Sequence, residues 1–174
     1  MHPQLKEFVE SLHQQACDKR EPTQSDLIEI ANEIRRICEA YPIDESKYPR
    51  AGATQELMYP IAVSESGGPS LYLVSEAAGV TSAPHEHQTW AVIVGLGGSE
   101  TNTVYRRAPG EGRSVHKVAE VVVRAGEVFC LLASDVHSTL VGTLQSSYHL
   151  HLYGRPLLLL PSFASRCYAF NAVA

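Results

Sequence analysis

After Ala53 this chain turns often. Clusters of turn-forming residues recur at Ser66-Gly67-Gly68-Pro69, Ala78-Gly79, Gly97-Gly98, Pro109-Gly110-Glu111-Gly112, Ala125-Gly126 and Gln145-Ser146. The runs between them are short and rich in β-branched and aromatic residues, the pattern of strands joined by tight turns. The spacing predicts strands over Gln55–Val63, Ser70–Ala77, Thr89–Leu96, Glu100–Arg107, His116–Val123, Glu127–Leu132, Thr139–Thr143, Tyr148–Tyr153 and Pro156–Leu160. Strands this closely joined pair mainly antiparallel and form a sandwich or a small barrel.

Residues 1–50 follow a different rule. Leu5, Phe8, Val9, Leu12 and Cys17 recur at helical steps, as do Leu27, Ile28, Ile30, Ala31, Ile34, Ile37 and Cys38. Thr23-Gln24-Ser25-Asp26 supplies a helix start and Pro42 a stop. The expected architecture is mainly β: one domain over residues 1–174, with two N-terminal α-helices (1–50) on an antiparallel β-barrel (53–174).

A net charge of −5 without any Lys/Arg run argues against nucleic acid as a partner. No apolar run approaches the roughly 20 residues of a membrane helix, which argues against a membrane-spanning role. The N-terminus has no charged-then-apolar leader pattern. Cys17, Cys38, Cys130 and Cys167 are far apart and suit reduced thiols. A cytoplasmic protein is the expectation.

The chemistry concentrates at Pro84-His85-Glu86-His87-Gln88-Thr89-Trp90. Histidines two apart on an extended segment face the same side, so His85 and His87 form a candidate metal pair. His137 follows an apolar strand and a polar turn, and in an antiparallel barrel it can face that pair. Further along, His149, His151 and Tyr153 share one face of a strand whose other face carries Tyr148, Leu150 and Leu152. Titratable groups on an inward face are costly unless they serve a site. Trp90 and Cys130 read as core.

Gly79-Val80-Thr81-Ser82-Ala83-Pro84-His85-Glu86-His87, with Gly126 and His137, resembles the two motifs of the cupin superfamily. That resemblance implies a double-stranded β-helix with His85, His87 and His137 as metal ligands. Many cupins add a glutamate four or five residues after the second histidine; those positions here are Ala91 and Val92, so the resemblance implies a three-histidine centre.

The segment from Tyr148 to Tyr153 is similar to the Ser-x-His-x-Tyr signature of the thiol dioxygenases, the cysteine and 3-mercaptopropionate dioxygenases. The resemblance implies Fe(II), one per chain, with His151 and Tyr153 as catalytic residues and His149 beside them in the place of the family serine. No cysteine lies near His87, so no thioether to Tyr153 is expected. Thr54-Gln55-Glu56-Leu57 and Ala164-Ser165-Arg166-Cys167 resemble substrate-contacting segments, implying Gln55 and Arg166 as substrate ligands. Arg155, Arg106 and Arg107 are rival clamps for a carboxylate. The implied partners are a small thiol carboxylate and dioxygen. Another metal-dependent cupin enzyme, or a non-catalytic metal- or ligand-binding cupin, stays open at this level, and three histidines also suit zinc and water activation.

Overall fold

The structure, a computed structural model, describes residues 2–16, 21–110 and 112–170. Cys17 and Glu111 lie outside them. Two helices come first, α1 (Pro3–Ala16) and α2 (Gln24–Ala40). Thr23 caps α2 as its sequence predicts: the Thr23 hydroxyl accepts from the Asp26 amide, and the Asp26 carboxylate accepts from the Thr23 amide.

Among the described residues ten strands follow, in two five-stranded sheets. The first sheet is ordered β1-β2-β9-β4-β7, from β1 (Glu56–Ala62), β2 (Ser70–Glu76), β9 (Tyr148–Tyr153), β4 (Ala91–Gly97) and β7 (Val128–Leu131). The second is ordered β10-β6-β5-β8-β3, from β10 (Ala169–Phe170), β6 (Ser114–Arg124), β5 (Ser99–Arg107), β8 (Val136–Val141) and β3 (His85–Glu86). Every pairing within the sheets is antiparallel except β10 with β6. The mainly β architecture with two leading helices is therefore as expected. Among the described residues no helix is long and apolar enough to cross a membrane.

Two expected strands shift. Pro156–Leu160 is not a strand: Leu157–Leu159 forms a 3-10 turn, with Leu158 and Leu159 exposed. Prolines at 156 and 161 bracket it and remove the amide donors a ladder would need. The strand predicted over Thr139–Thr143 begins earlier, at Val136, which puts His137 within a strand rather than ahead of one.

The main apolar core lies outside the barrel. Leu5 and Val9 of α1 and Leu27, Ala31, Ile34 and Cys38 of α2 meet Leu71, Leu73, Val92, Val94, Cys130, Tyr148, Leu150 and Leu152 of the first sheet. Trp90 is half-buried against this cluster. Cys38 and Cys130 are buried free thiols and Cys167 is partly exposed. With the helices covering one face of the first sheet, its other face turns toward the second sheet, and the site lies between the two.

Candidate metal centre and its cavity

His85 and His137 are paired across β3 and β8, so the sheet register sets them side by side. His87 is brought in by a bend: Gln88 has φ 57, in the left-handed region that non-glycine residues seldom occupy. The Gln88 amide donates to Glu86 Oε1 at 2.9 Å and anchors the bend. Ring centroids then stand 4.9 Å apart for His85 and His87, 4.6 Å for His85 and His137, and 5.0 Å for His87 and His137. All three side chains are buried.

Hydrogen bonds assign the tautomers. His85 Nδ1 donates to the Ala83 carbonyl at 2.9 Å, and His137 Nδ1 donates to Asn102 Oδ1 at 2.8 Å. The Asn102 amide nitrogen donates to Glu100 Oε1 at 2.9 Å, which leaves Oδ1 as the atom facing His137. Both rings therefore keep the Nε2 lone pair for a ligand, the arrangement seen when outer contacts orient metal-binding histidines. Burial, followed by the charge of neighbouring histidines, holds His87 and His137 well below the ordinary histidine range. Burial also lowers His85, against the pull of the Ala83 carbonyl. Neutral imidazoles are the form a metal requires.

His87 Nε2 and His137 Nε2 are 2.9 Å apart. With bonds of about 2.1 Å, adjacent ligands stand about 3.0 Å apart on an octahedral ion and about 3.4 Å on a tetrahedral one. The trio thus fits a divalent transition metal held on one face, with positions opposite it left open.

A cavity of about 380 Å³ opens on this face. His85, His87 and His137 line it together with His151, Tyr153 and Arg166. Tyr153 lies next to the trio, its ring 5.0 Å from that of His87, and its hydroxyl is 3.1 Å from His151 Nδ1. Burial, then the carboxylates Glu100 and Glu76, raises the Tyr153 phenol above its ordinary range and keeps it protonated. Burial lowers His151 to about 4, so it is neutral at pH 7.

Arg166 comes from the short helix α3 (Phe163–Arg166). The segment after it is stitched beside β3 by the Tyr168 amide donating to the Pro84 carbonyl at 2.8 Å. Arg166 Nη1 donates to the Glu86 carbonyl at 2.7 Å and Nε to the Pro161 carbonyl at 3.0 Å. These are neutral acceptors: among the described residues no carboxylate pairs with this buried guanidinium.

The other substrate candidates lie elsewhere. Gln55 is exposed and its Oε1 accepts from the Gly52 amide at 2.8 Å; its neighbour Glu56, not Gln55, reaches the cavity wall. Gln55 sits just ahead of β1, where alternation turns it away from the barrel interior. Arg106 and Arg155 are exposed, and Arg107 is paired with Glu86. His149 is fully buried behind His151, the rings stacked with centroids 6.4 Å apart. The residues that sequence reasoning missed are Glu100, Asn102 and Glu76. Glu100 and Asn102 lie two apart on β5, the same spacing that marked His149 and His151.

No protein-family model matches the sequence, and no curated relative matches it. Solved structures do. A cupin superfamily protein from Desulfitobacterium hafniense DCB-2 is 15% identical with a TM-score of 0.51, over 79% of this chain and 97% of that one. A conserved protein with a double-stranded β-helix domain from Klebsiella pneumoniae is 12% identical with a TM-score of 0.50, over 67% of this chain and 86% of that one. The polyketide cyclase RemF from Streptomyces resistomycificus is 17% identical with a TM-score of 0.49, over 71% of this chain and 78% of that one. The first two show the fold, a cupin double-stranded β-helix, and leave the chemistry to the site.

Proposed function

We propose that the protein is a non-haem iron thiol dioxygenase, an oxidoreductase that converts a small mercapto-carboxylate to its sulfinate. The overall change adds both atoms of dioxygen to one sulfur, R–SH + O2 giving R–SO2H, so no further reductant is needed. The observation that carries the reading is the convergence on one cavity of three neutral histidines, a protonated tyrosine and a cation with no counter-charge among the described residues.

His85, His87 and His137 would hold the iron. A ferrous ion bound there would supply open coordination positions and relay electrons from the thiol sulfur, which is oxidised, to dioxygen, which is reduced. With three neutral ligands the site keeps its full positive charge, which favours an anionic thiolate over a neutral substrate.

The remaining roles fall to the chain itself. Arg166, pinned by two backbone carbonyls, presents its guanidinium at the cavity wall and attracts the substrate carboxylate. Binding both ends of the substrate orients the sulfur toward the histidines. Tyr153 offers a hydroxyl beside His87, and His151 orients it through the 3.1 Å contact. Phe163 lies against His85 at 4.8 Å between centroids and narrows access for water.

The test is anaerobic loading with Fe(II), followed by oxygen uptake with cysteine, 3-mercaptopropionate and mercaptosuccinate. At least one thiol is expected to drive uptake, with both atoms of labelled dioxygen in the sulfinate. Fully iron-loaded protein that consumes no oxygen with any thiol overturns the reading. Metal content of the native protein separates it from a zinc or manganese cupin enzyme. Ligand binding without turnover would mark a binding protein.

A further inference from the structure

Glu100 and His151 form part of the cavity wall and His149 stands behind it, all three buried. We infer that they form a second metal site, distinct from the histidine trio, for a divalent first-row cation with two imidazole ligands and at least one carboxylate.

The argument begins with atoms that have no partner. Among the described residues, four buried side-chain atoms lack a hydrogen bond: Glu76 Oε2, both ring nitrogens of His149, and His151 Nε2. All belong to this cluster, since Glu76 lies against Glu100. An imidazole carries at least one N–H in either protonation state, so His149 leaves at least one buried donor unmet. Leaving such groups unpaired in the interior costs stability. One ion would satisfy several at once.

Bonds already made select the ligand atoms. Glu100 Oε1 is taken by Asn102, which leaves Oε2. His151 Nδ1 is taken by Tyr153, which leaves Nε2. One atom from each of the three residues lies within 4.8 Å of the others. His149 Nδ1 and Glu100 Oε2 are 3.7 Å apart, too far for a hydrogen bond and close to the about 3.4 Å edge of a tetrahedral ion. Access exists, because Glu76, Glu100 and His151 line the same cavity as the trio.

The two sites are joined by one side chain. Asn102 accepts from His137 of the trio and donates to Glu100 of the cluster. An ion on His151 Nε2 would also settle its tautomer: Nδ1 would carry the hydrogen and donate to Tyr153, freeing the phenol proton to point into the cavity.

The test is cobalt(II) titration of the whole protein, with bound metal counted after removal of excess. The wild type is expected to take two ions per chain. His87→Ala, which breaks the trio, should keep one with intense four-coordinate visible bands, and His149→Phe should lose that one. Saturation at one ion that His87→Ala abolishes overturns the second site. Should His149→Phe not fold, anomalous diffraction from cobalt-soaked wild-type crystals decides: a peak between Glu100, His149 and His151 supports the site, and a peak at the trio alone overturns it. A peak at the cluster alone keeps this inference and sinks the iron centre proposed above, so the two fail separately.

Discussion

Alternate residues of β9 live in two different environments. Tyr148, Leu150 and Leu152 face the helices, where each is no more than 1% exposed and meets apolar neighbours. His149, His151 and Tyr153 are also buried on the opposite face, but the last two line the cavity, and their neighbours are Glu100, Glu76 and the histidine trio. Burying a leucine-sized side chain on the first face contributes about 1.5–3 kcal/mol. The second face carries unpaired polar atoms that cost stability. One strand therefore holds the fold together with its even-numbered residues and builds the site with its odd-numbered ones. The helices matter to function because they supply the apolar burial that lets the barrel interior stay polar.

The comparison breaks most visibly at Tyr153. Tyr153→Phe removes one hydroxyl and leaves the ring, so we expect thiol-dependent oxygen uptake to fall by about 10²-fold or more. The thermal midpoint should fall by only about a few degrees, because the change leaves buried His151 Nδ1 without its partner. Uptake that stays near wild type would show that the inner face does not serve the reaction through this residue.

On the outer face the expected effect is reversed. Leu150→Ala should destabilise the protein by about 2–5 kcal/mol, read as a lower denaturant midpoint. Turnover per folded molecule and iron binding should be retained. If stability is unchanged while turnover falls, the two faces are not separable as described.

How much of this was legible in the sequence differs by face for the same reason. On β9, polar and apolar residues alternate strictly, so both faces could be read from period two alone. Ser99-Glu100-Thr101-Asn102-Thr103 gives no such contrast, since every residue is polar. Only pairing on both sides, with β6 and β8, buries Glu100 and Asn102 while Thr101 and Thr103 stay half-exposed. Gln55 failed in the opposite way. The resemblance picked a residue at a strand entrance, where a one-residue change of phase decides which side it faces, and the structure puts Glu56 at the cavity instead. The cupin barrel and the grouping of His85, His87 and His137 were readable, because the glycine spacing and the two-residue histidine step lie within short stretches, and the resemblance supplied the long-range pairing with His137.

Asn102 offers a finer cut, because it does not line the cavity and links the two buried clusters. Asn102→Ala leaves His137 Nδ1 and Glu100 Oε1 without their partners, so affinity for Fe(II) should fall about 10–100-fold in chelator competition. The thiol preference should not change. Unaltered affinity would mean that His137 is held by its strand alone.

The smallest effect concerns pH and tests whether the inner face is dry. In the metal-free protein, burial holds His87 and His137 well below the ordinary value of 6.5 and His151 at about 4. In the unfolded chain all three are ordinary. As pH falls through 6.5 the unfolded chain takes up protons that the folded one refuses, so stability is lost toward acid, by up to about 1.4 kcal/mol per pH unit for each group. Glu76 acts in the other direction: burial and the neighbouring Glu100 push its carboxyl up to about 8. The folded state keeps that proton while the unfolded chain releases it above 4.5, so this contribution is lost as pH rises toward 8. With His85, which burial also lowers, four histidines outweigh one glutamate below pH 6.5, and above it the glutamate acts alone. The thermal midpoint of the metal-free protein should therefore peak near pH 6.5, falling steeply on the acid side and gently on the alkaline side. A midpoint that stays level through the acid side would mean that water reaches these imidazoles, and that the inner face of β9 is not the desolvated environment on which the contrast with its outer face depends.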